Sequence, residues 1–294
     1  MSVFVQQTGT TCEFSNSDSW VILSPIEQSI KRKIESVGTP LKDWDINIYR
    51  GVLTGYNEAF IISTEKRDEI LANCQSDDER KRTEELIRPI LHGRDIKRYG
   101  YNWAGLWLIN THNGVRGKLE RIHIEDYPAV KAHLDQYGDK ISKRADKGDT
   151  PYNLRNCAYM EDFSKSKIMY PNMTKYLPFY YDEKGFYQND KSFMITGAHV
   201  SYLAAFLNSS LFKFCFRDNF PELLGGTREL RKIFFDKIPV KKVSDSVNDK
   251  FRRKVNEIQS DYTKEQAIKI DNLLFDLYNL TDEERRQIGF IDIE

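Results

Sequence analysis

The sequence predicts an α+β protein: a mixed or antiparallel sheet domain followed by a helical C-terminal tail. Three observations predict it. Helical periodicity is confined to the early part and the end of the 294 residues, while the middle alternates tyrosine and phenylalanine with polar residues in the manner of strands. Hydrophobic residues make up 40% of the chain and aromatics 13%, enough to build a real core and too much for a disordered chain. No internal repeat is visible, which sets solenoids and propellers aside.

The polar residues 1–23 read as a lead-in or linker. Ser24-Pro25-Ile26-Glu27 is a helix start, with a cap, a proline at the first turn and a capping box. Ile26, Ile30, Ile34 and Val37 share one face, and Gly38 ends the helix. Residues 46–63 read as a strand, a glycine-bearing turn and a second strand. Two helices are expected at 65–73 and 77–91, the second with Leu86, Ile87, Ile90 and Leu91 inward. A basic loop over 92–99 precedes a buried strand at 103–110. A helix is expected from Asp126, and 138–156 is a polar stretch. Residues 166–196 read as two or three strands turning at Asp182–Gly185. A mostly buried helix follows at 199–216, a loop at Gly225-Gly226, and a strand over 232–240. Helices at 246–261, 264–279 and 281–288 close the chain. This divides it into a lead-in (1–23), a main domain (24–242) and a C-terminal helical segment (243–294).

Several function classes are excluded by what is missing. The nine prolines are never adjacent and no two glycines stand two apart, so neither an N/D-P-P-Y/F motif nor a glycine-rich nucleotide or AdoMet loop is present. Gly100 and Gly105 are followed by Leu106 and form no phosphate loop. HExxH and GxSxG are absent. Cys12, Cys74, Cys157 and Cys215 are far apart, which argues against a zinc site or a disulfide framework and suits a reducing, cytoplasmic setting. No apolar window is long enough to span a membrane and no secretory signal is visible. No catalytic residue is therefore expected.

The net charge is zero, 44 basic against 44 acidic residues, but the charge is segregated. Residues 213–254 carry 12 Lys/Arg against 6 Asp/Glu, whereas 257–294 carry 4 against 10. A neutral chain with such blocks is able to present one basic face.

Several segments, in this order, resemble the TaqI-like C-terminal specificity domain: Gly51–Phe60, Leu91–Tyr99, Trp103–Asn110, the YPAVKAHL run from Tyr127, Lys147–Arg155, Leu203–Leu211, Lys237-Ile238-Pro239 and Ile270–Thr281. This is the target recognition domain of adenine-specific DNA methyltransferases and of type IIG restriction-modification enzymes. The family often carries tryptophan where this chain has Pro151-Tyr152-Asn153. The resemblance implies a double-stranded DNA partner and a methyltransferase domain, in cis or in trans, that would hold AdoMet.

Reading DNA needs cations for phosphates and forked donors for base edges, on loops held by a rigid scaffold. The residues that fit are Thr54, Tyr56 and Asn57 in the glycine turn, then Arg94, Lys97 and Arg98 in the basic loop. Lys143, Arg144, Lys147, Tyr152, Asn153 and Arg155 form the richest donor cluster. Lys175 follows in the aromatic sheet, and Arg228 and Arg231 after the double glycine. Within the cluster, Asn153 and Arg155 suit base edges, unless Arg155 pairs with Asp149 or Glu161 instead. The tyrosines between 170 and 187 have two readings, a groove-lining patch or the half-buried face of a sheet. Two other functions compete: a protein-interaction module that docks a separate methyltransferase, and a divergent nuclease built on Asp95 or Asp182.

Overall fold

The computed structural model describes residues 23–290, so most of the expected lead-in and Cys12 lie outside the described residues. Helix α1 (Pro25–Val37) starts as its sequence dictates: Ser24 Oγ accepts from the Glu27 amide and the Glu27 carboxylate accepts from Ser24 N–H at 2.7 Å. It stops at Gly38, whose backbone is extended, and only glycine fits there, since a Cβ would lie 2.6 Å from the Pro239 Cβ. Strand β1 (Gly38–Pro40) follows, then β2 (Ile46–Arg50), a short α2 (Asn57–Phe60), β3 (Ile61–Ser63), α3 (Thr64–Ala72) and α4 (Asp77–Leu86). The last helix is shorter than expected. Pro89 has no amide to donate and disfavours helical backbone at Arg88, so residues 87–91 become strand β4 (Ile87–Leu91).

Strands β5 (Ile96–Lys97), β6 (Gly100–Tyr101) and β7 (Leu106–Ile109) come next. Helix α5 (Pro128–Asp135) begins at its proline, after a turn of 3₁₀ helix over Ile124–Asp126, and α6 (Gly138–Ser142) is brief. The middle supplies β8 (Lys167–Pro171), β9 (Met173–Thr174), β10 (Tyr180–Asp182), β11 (Tyr187–Gln188) and β12 (Ser192–Gly197). Residues 199–216 are two helices, α7 (Val200–Leu207) and α8 (Ser210–Phe216), because Ser209 breaks the run and caps the second through the Phe212 amide at 3.0 Å. After β13 (Arg228–Glu229), the strand expected over 232–240 is instead α9 (Lys232–Phe235) and β14 (Pro239–Lys241). The helical turn lets Phe235 reach the buried rings of Tyr170 and Phe220, at centroid distances of 5.1 and 4.9 Å. The tail is helical as expected: α10 (Asp245–Ser260), α11 (Lys264–Leu277) and α12 (Asp282–Ile288).

Two four-stranded sheets organise these elements. The first has the order β10-β8-β12-β2 and is antiparallel throughout. The second has the order β11-β4-β7-β3, antiparallel except for the β11–β4 pair. Strands β2 and β3, expected as a hairpin, belong to different sheets. The turn expected at Asp182–Gly185 is likewise a crossing from β10 in the first sheet to β11 in the second.

Side chains alternate across the first sheet with period two, and both faces are buried. Ile168, Tyr170, Tyr181 and Ile195 face one core, shared with α7, α8, α10 and α11. Met194 joins a second core around Ile90, Leu108, Val130 and Phe163, while Met169 and Tyr180 pack with Leu91 and Phe186. The tyrosines at 170, 180, 181 and 187 are all buried, which assigns them to packing, whereas Tyr176 is exposed. The helical tail shares the first core rather than standing apart, through Phe251, Val255, Ile270 and Leu274.

One carboxylate ties the last helix to the first. Glu284 accepts from Lys33 Nζ at 2.6 Å, Ser29 Oγ at 2.7 Å and Thr281 N–H at 2.7 Å. Burial pushes its carboxyl up, but the three donors outweigh burial and hold it down at about 2, against 4.5 for a free glutamate. A depressed folded-state pKa stabilises the fold above about pH 4.5, and that contribution is lost as the pH falls toward 2. Glu284→Gln should therefore lower unfolding free energy at pH 7 by about 2–3 kcal/mol and flatten its pH dependence between these limits, read by urea titrations at several pH values.

Candidate nucleic-acid interface

An open cleft of about 1590 Å³ lies between the loop after β4, the loops around β9 and β12, helix α8 and the tail residues Gln259, Tyr262, Ile288 and Phe290. Arg94, Lys97, Arg98, Lys191, Lys213 and Arg217 line it, and among the described residues no aspartate or glutamate does. In a chain of zero net charge this is a strong local concentration of one sign.

Local chemistry shapes its rim. Asp95 is buried because its carboxylate caps the turn that follows β4, accepting from His92 N–H at 2.8 Å, while its backbone carbonyl accepts from Asn102 N–H at 2.7 Å. Tyr99 takes positive φ (57°) and sends its ring into the core, so the chain doubles back from β5 to β6. Arg94 is left 79% exposed, and Lys97 is exposed with its ammonium on the Arg94 carbonyl at 2.9 Å. Arg98 serves the fold: it donates twice to the Asn208 carbonyl (3.1 and 2.8 Å) and once to Tyr262 OH (2.9 Å). Gly93 is required at the floor, where a Cβ would meet the Lys191 carbonyl oxygen at 3.0 Å.

Lys175 is exposed beside the cleft, next to Thr174 on its wall. Arg231 is 59% exposed and paired with Glu229 at 2.8 Å. Arg228 is buried, donating to the carbonyls of Phe220 and Arg217 and pairing with Glu222 and Asp218, so it closes its own loop rather than facing outward. The sequence reading missed Lys191, which carries no local signal. It touched Lys213 and Arg217 only through the charge surplus of residues 213–254.

The other candidates gather elsewhere, where the fold joins two loops that lie 90 residues apart. The Arg144 guanidinium donates to the carbonyls of Thr54, Pro151 and Asn153, with its plane 4.2 Å over the Phe60 ring. Burial lowers its pKa to about 10, so it stays charged at neutral pH. Asn153 is buried beside it, donating to the Ile122 carbonyl at 2.9 Å and accepting from Thr150 Oγ1 at 2.6 Å. Thr54 is also buried and donates to Asn57 Oδ1. These three hold the loops together, and apart from the buried Arg144 Nε their side-chain polar groups are engaged. Tyr152 donates to Asp135 at 2.6 Å, and Tyr56 to Glu58 at 2.5 Å while packing edge-on against Tyr137. What this structure leaves outward is Asn57, Lys143, Lys147 and Arg155. Lys143 pairs with Asp139 at 2.6 Å and Lys147 reaches the Ser142 carbonyl. Arg155 pairs with Asp146 at 3.0 Å, not with Asp149 or Glu161, and remains 60% exposed.

Asp182 is fully buried against Lys167 at 2.6 Å, and among the described residues no group of three or more His, Cys, Asp or Glu is placed to hold a metal. No helix among them is long and apolar enough to cross a membrane.

The comparisons assign this α+β fold with its basic cleft to a family of specificity domains. The chain belongs to the TaqI-like C-terminal specificity domain family, whose model matches residues 88–240, just over half of the 294 residues. Among solved structures it is similar to the type IIL restriction-modification enzyme MmeI in complex with DNA, with a TM-score of 0.58 at 11% identity over 85% of this chain and 35% of that one. It is also similar to the type IIG restriction endonuclease BpuSI, with a TM-score of 0.50 at 15% identity over 87% of this chain and 34% of that one. At these identities the likeness is one of fold, and the chain spans about a third of the length of these two structures. No curated protein matches it.

The two arginines at the joined loops should separate cleanly. Arg144→Ala leaves three carbonyls without their donor and should cost about 3–4 kcal/mol. Arg155→Ala breaks only an exposed pair and should cost less than about 1 kcal/mol. Guanidinium titrations of the two variants beside the wild-type chain measure both.

Proposed function

We propose that this chain is the sequence-specific double-stranded DNA recognition module of an adenine-specific DNA methyltransferase or type IIG restriction-modification enzyme. In this reading residues 24–242 meet the DNA and the helices of 243–294 brace them. The observation that carries it is the cleft: six cations and no carboxylate among the described lining residues, in a family of specificity domains.

Phosphates are the one component of duplex DNA that such a surface recognises without regard to sequence. Arg94, Lys97, Lys191, Lys213 and Arg217 act as the clamp. Base reading falls to outward side chains on loops held rigid from within, of which Arg155 has the planar fork that matches guanine O6 and N7. It need only exchange its exposed partner Asp146. Thr54, Arg144, Asn153 and Arg228 serve as scaffold, and Arg98 as cleft wall.

Methyl transfer and AdoMet belong to a methyltransferase domain in cis or in trans. The cleft does not suit AdoMet: among the described residues it offers no carboxylate to receive the ribose hydroxyls, and its cations repel a sulfonium. Nor do Asp95 and Asp182 suit a nuclease, since both are buried and spent on backbone or lysine partners.

If about six phosphates are neutralised, log affinity for a mixed-sequence duplex should fall against log salt with a slope near about −5. Replacing Arg94, Lys97 and Lys191 together by alanine should flatten that slope by about 2–3, while Arg253→Ala, outside the cleft, should leave it unchanged. Anisotropy titrations between low and physiological salt read both. Affinity that ignores salt would refute the reading.

A further inference from the structure

Of the eight large hydrophobic residues exposed among the described residues, Met173 and Tyr176 line the basic cleft, and Leu223 and Leu224 stand on the loop whose stem pairs with β9 beside them. Strands β9 and β13 bind the two segments together, with Arg228 paired to Thr174 and Glu229 to Met173. Leu224 is the extreme case, 97% exposed at the tip of a loop whose next two residues, Gly225 and Gly226, both take positive φ and would meet nothing within 4 Å if they carried a Cβ.

The base of this loop is stiff. Leu223 N–H donates to the Thr227 carbonyl at 2.7 Å, Glu222 bridges to Arg228, and the buried Arg228 guanidinium binds two carbonyls and two carboxylates at the neck. An apolar tip on a rigid stem, free of any covering side chain, is an unusual arrangement in water. Its surroundings indicate the occupant. Around the loop Arg228 is paired with Asp218 and Glu222, Arg231 with Glu229 and Lys232 with Asp236, while Arg217 is exposed and lines the basic cleft. Lys175 adds an exposed cation between Met173 and Tyr176. The apolar lip thus adjoins the exposed cations Lys175 and Arg217 at the basic cleft, which suits a polyanion with an apolar interior. Duplex DNA is such a ligand: phosphates outside, stacked bases within. Leucine and methionine are among the side chains that enter between base pairs when a protein unstacks a step.

We infer that the 221–231 loop is a wedge: Leu224 enters the base stack of a duplex seated in the cleft, while Lys175, Arg217 and Arg231 hold the flanking phosphates. The inference rests on the DNA reading proposed above and adds to it the side chain that opens a step.

A mixed-sequence duplex of about 24 base pairs, either fully paired or with one central abasic site, provides the test, because a wedge gains when the unstacking is already done. The wild-type chain should prefer the abasic duplex by about tenfold. Leu224→Ala should lose that preference and keep the salt slope, and Leu224→Phe should retain the preference. Folding is not at stake, as the side chain touches almost nothing. Equal affinity of the wild-type chain for both duplexes, with a steep salt slope, would overturn the wedge and leave the DNA reading standing. Absence of binding to either duplex at low salt would remove both. Should Leu224→Ala instead dissolve a dimer seen by sedimentation and leave both affinities unchanged, the lip would be a self-association face and the wedge would be wrong.

Discussion

The architecture depends on one buried ion pair. Lys167 and Asp182 lie 2.6 Å apart with no exposed surface, at the point where the chain leaves one sheet for the other. Asp182 accepts from the Lys167 ammonium and the amides of Lys184 and Phe186, and Lys167 also donates to the Phe163 carbonyl. Burial pulls the Lys167 pKa down while Asp182 opposes it. Removing either partner would strand a charge in a dry interior, a loss on the order of 3–5 kcal/mol. The pair also fixes the path of the chain. With the Lys184 and Phe186 amides tied back to Asp182, the chain cannot close a hairpin with β10, and Tyr187 is delivered to the parallel ladder beside Ile90.

That crossing is what gives the protein a cleft. The first sheet is buried on both faces, so its edges and connecting loops are the places left for contact with solvent. The loops at the ends of β4, β8 and β12 meet at Gly93, Pro171 and Lys191, and the helix pair α7–α8 stands beside them through the Arg98–Asn208 contact. A floor of backbone and a rim of long cations follow from this packing. Net neutrality is no obstacle, because among the described residues no aspartate or glutamate lines the cleft.

Arginine plays opposite parts within a few residues. Arg94 reaches solvent, whereas Arg98 is fixed by three hydrogen bonds. Arg155 faces outward, whereas Arg144 is enclosed by the loops it joins. A guanidinium is a strong fork for a phosphate and an equally strong fork for carbonyls that a loop cannot otherwise satisfy. Loops without regular ladders have many such carbonyls, so a cluster of donors in a polar loop is as much a sign of internal scaffolding as of a ligand.

The sequence by itself determined the fold class, the first helix with its capping box, the three closing helices and the family resemblance. These rest on interactions within a few residues, or on patterns long enough to outweigh local noise. Short stretches misled where a single residue overrides periodicity: Pro89 turns the last third of an expected helix into a strand, and Ser209 breaks one helix into two. Which strands pair was decided only by the tertiary structure, since β2 and β3 are neighbours in sequence yet lie in different sheets. The candidate site divides the same way. Residue type marked Arg94, Lys97, Lys175 and Arg155 as donors, and they are outward. It marked Thr54, Arg144, Asn153 and Arg228 equally well, and they are enclosed. A side chain carries the same hydrogen-bonding groups in either setting. Whether they meet solvent or a carbonyl 90 residues away depends on packing that no local pattern encodes.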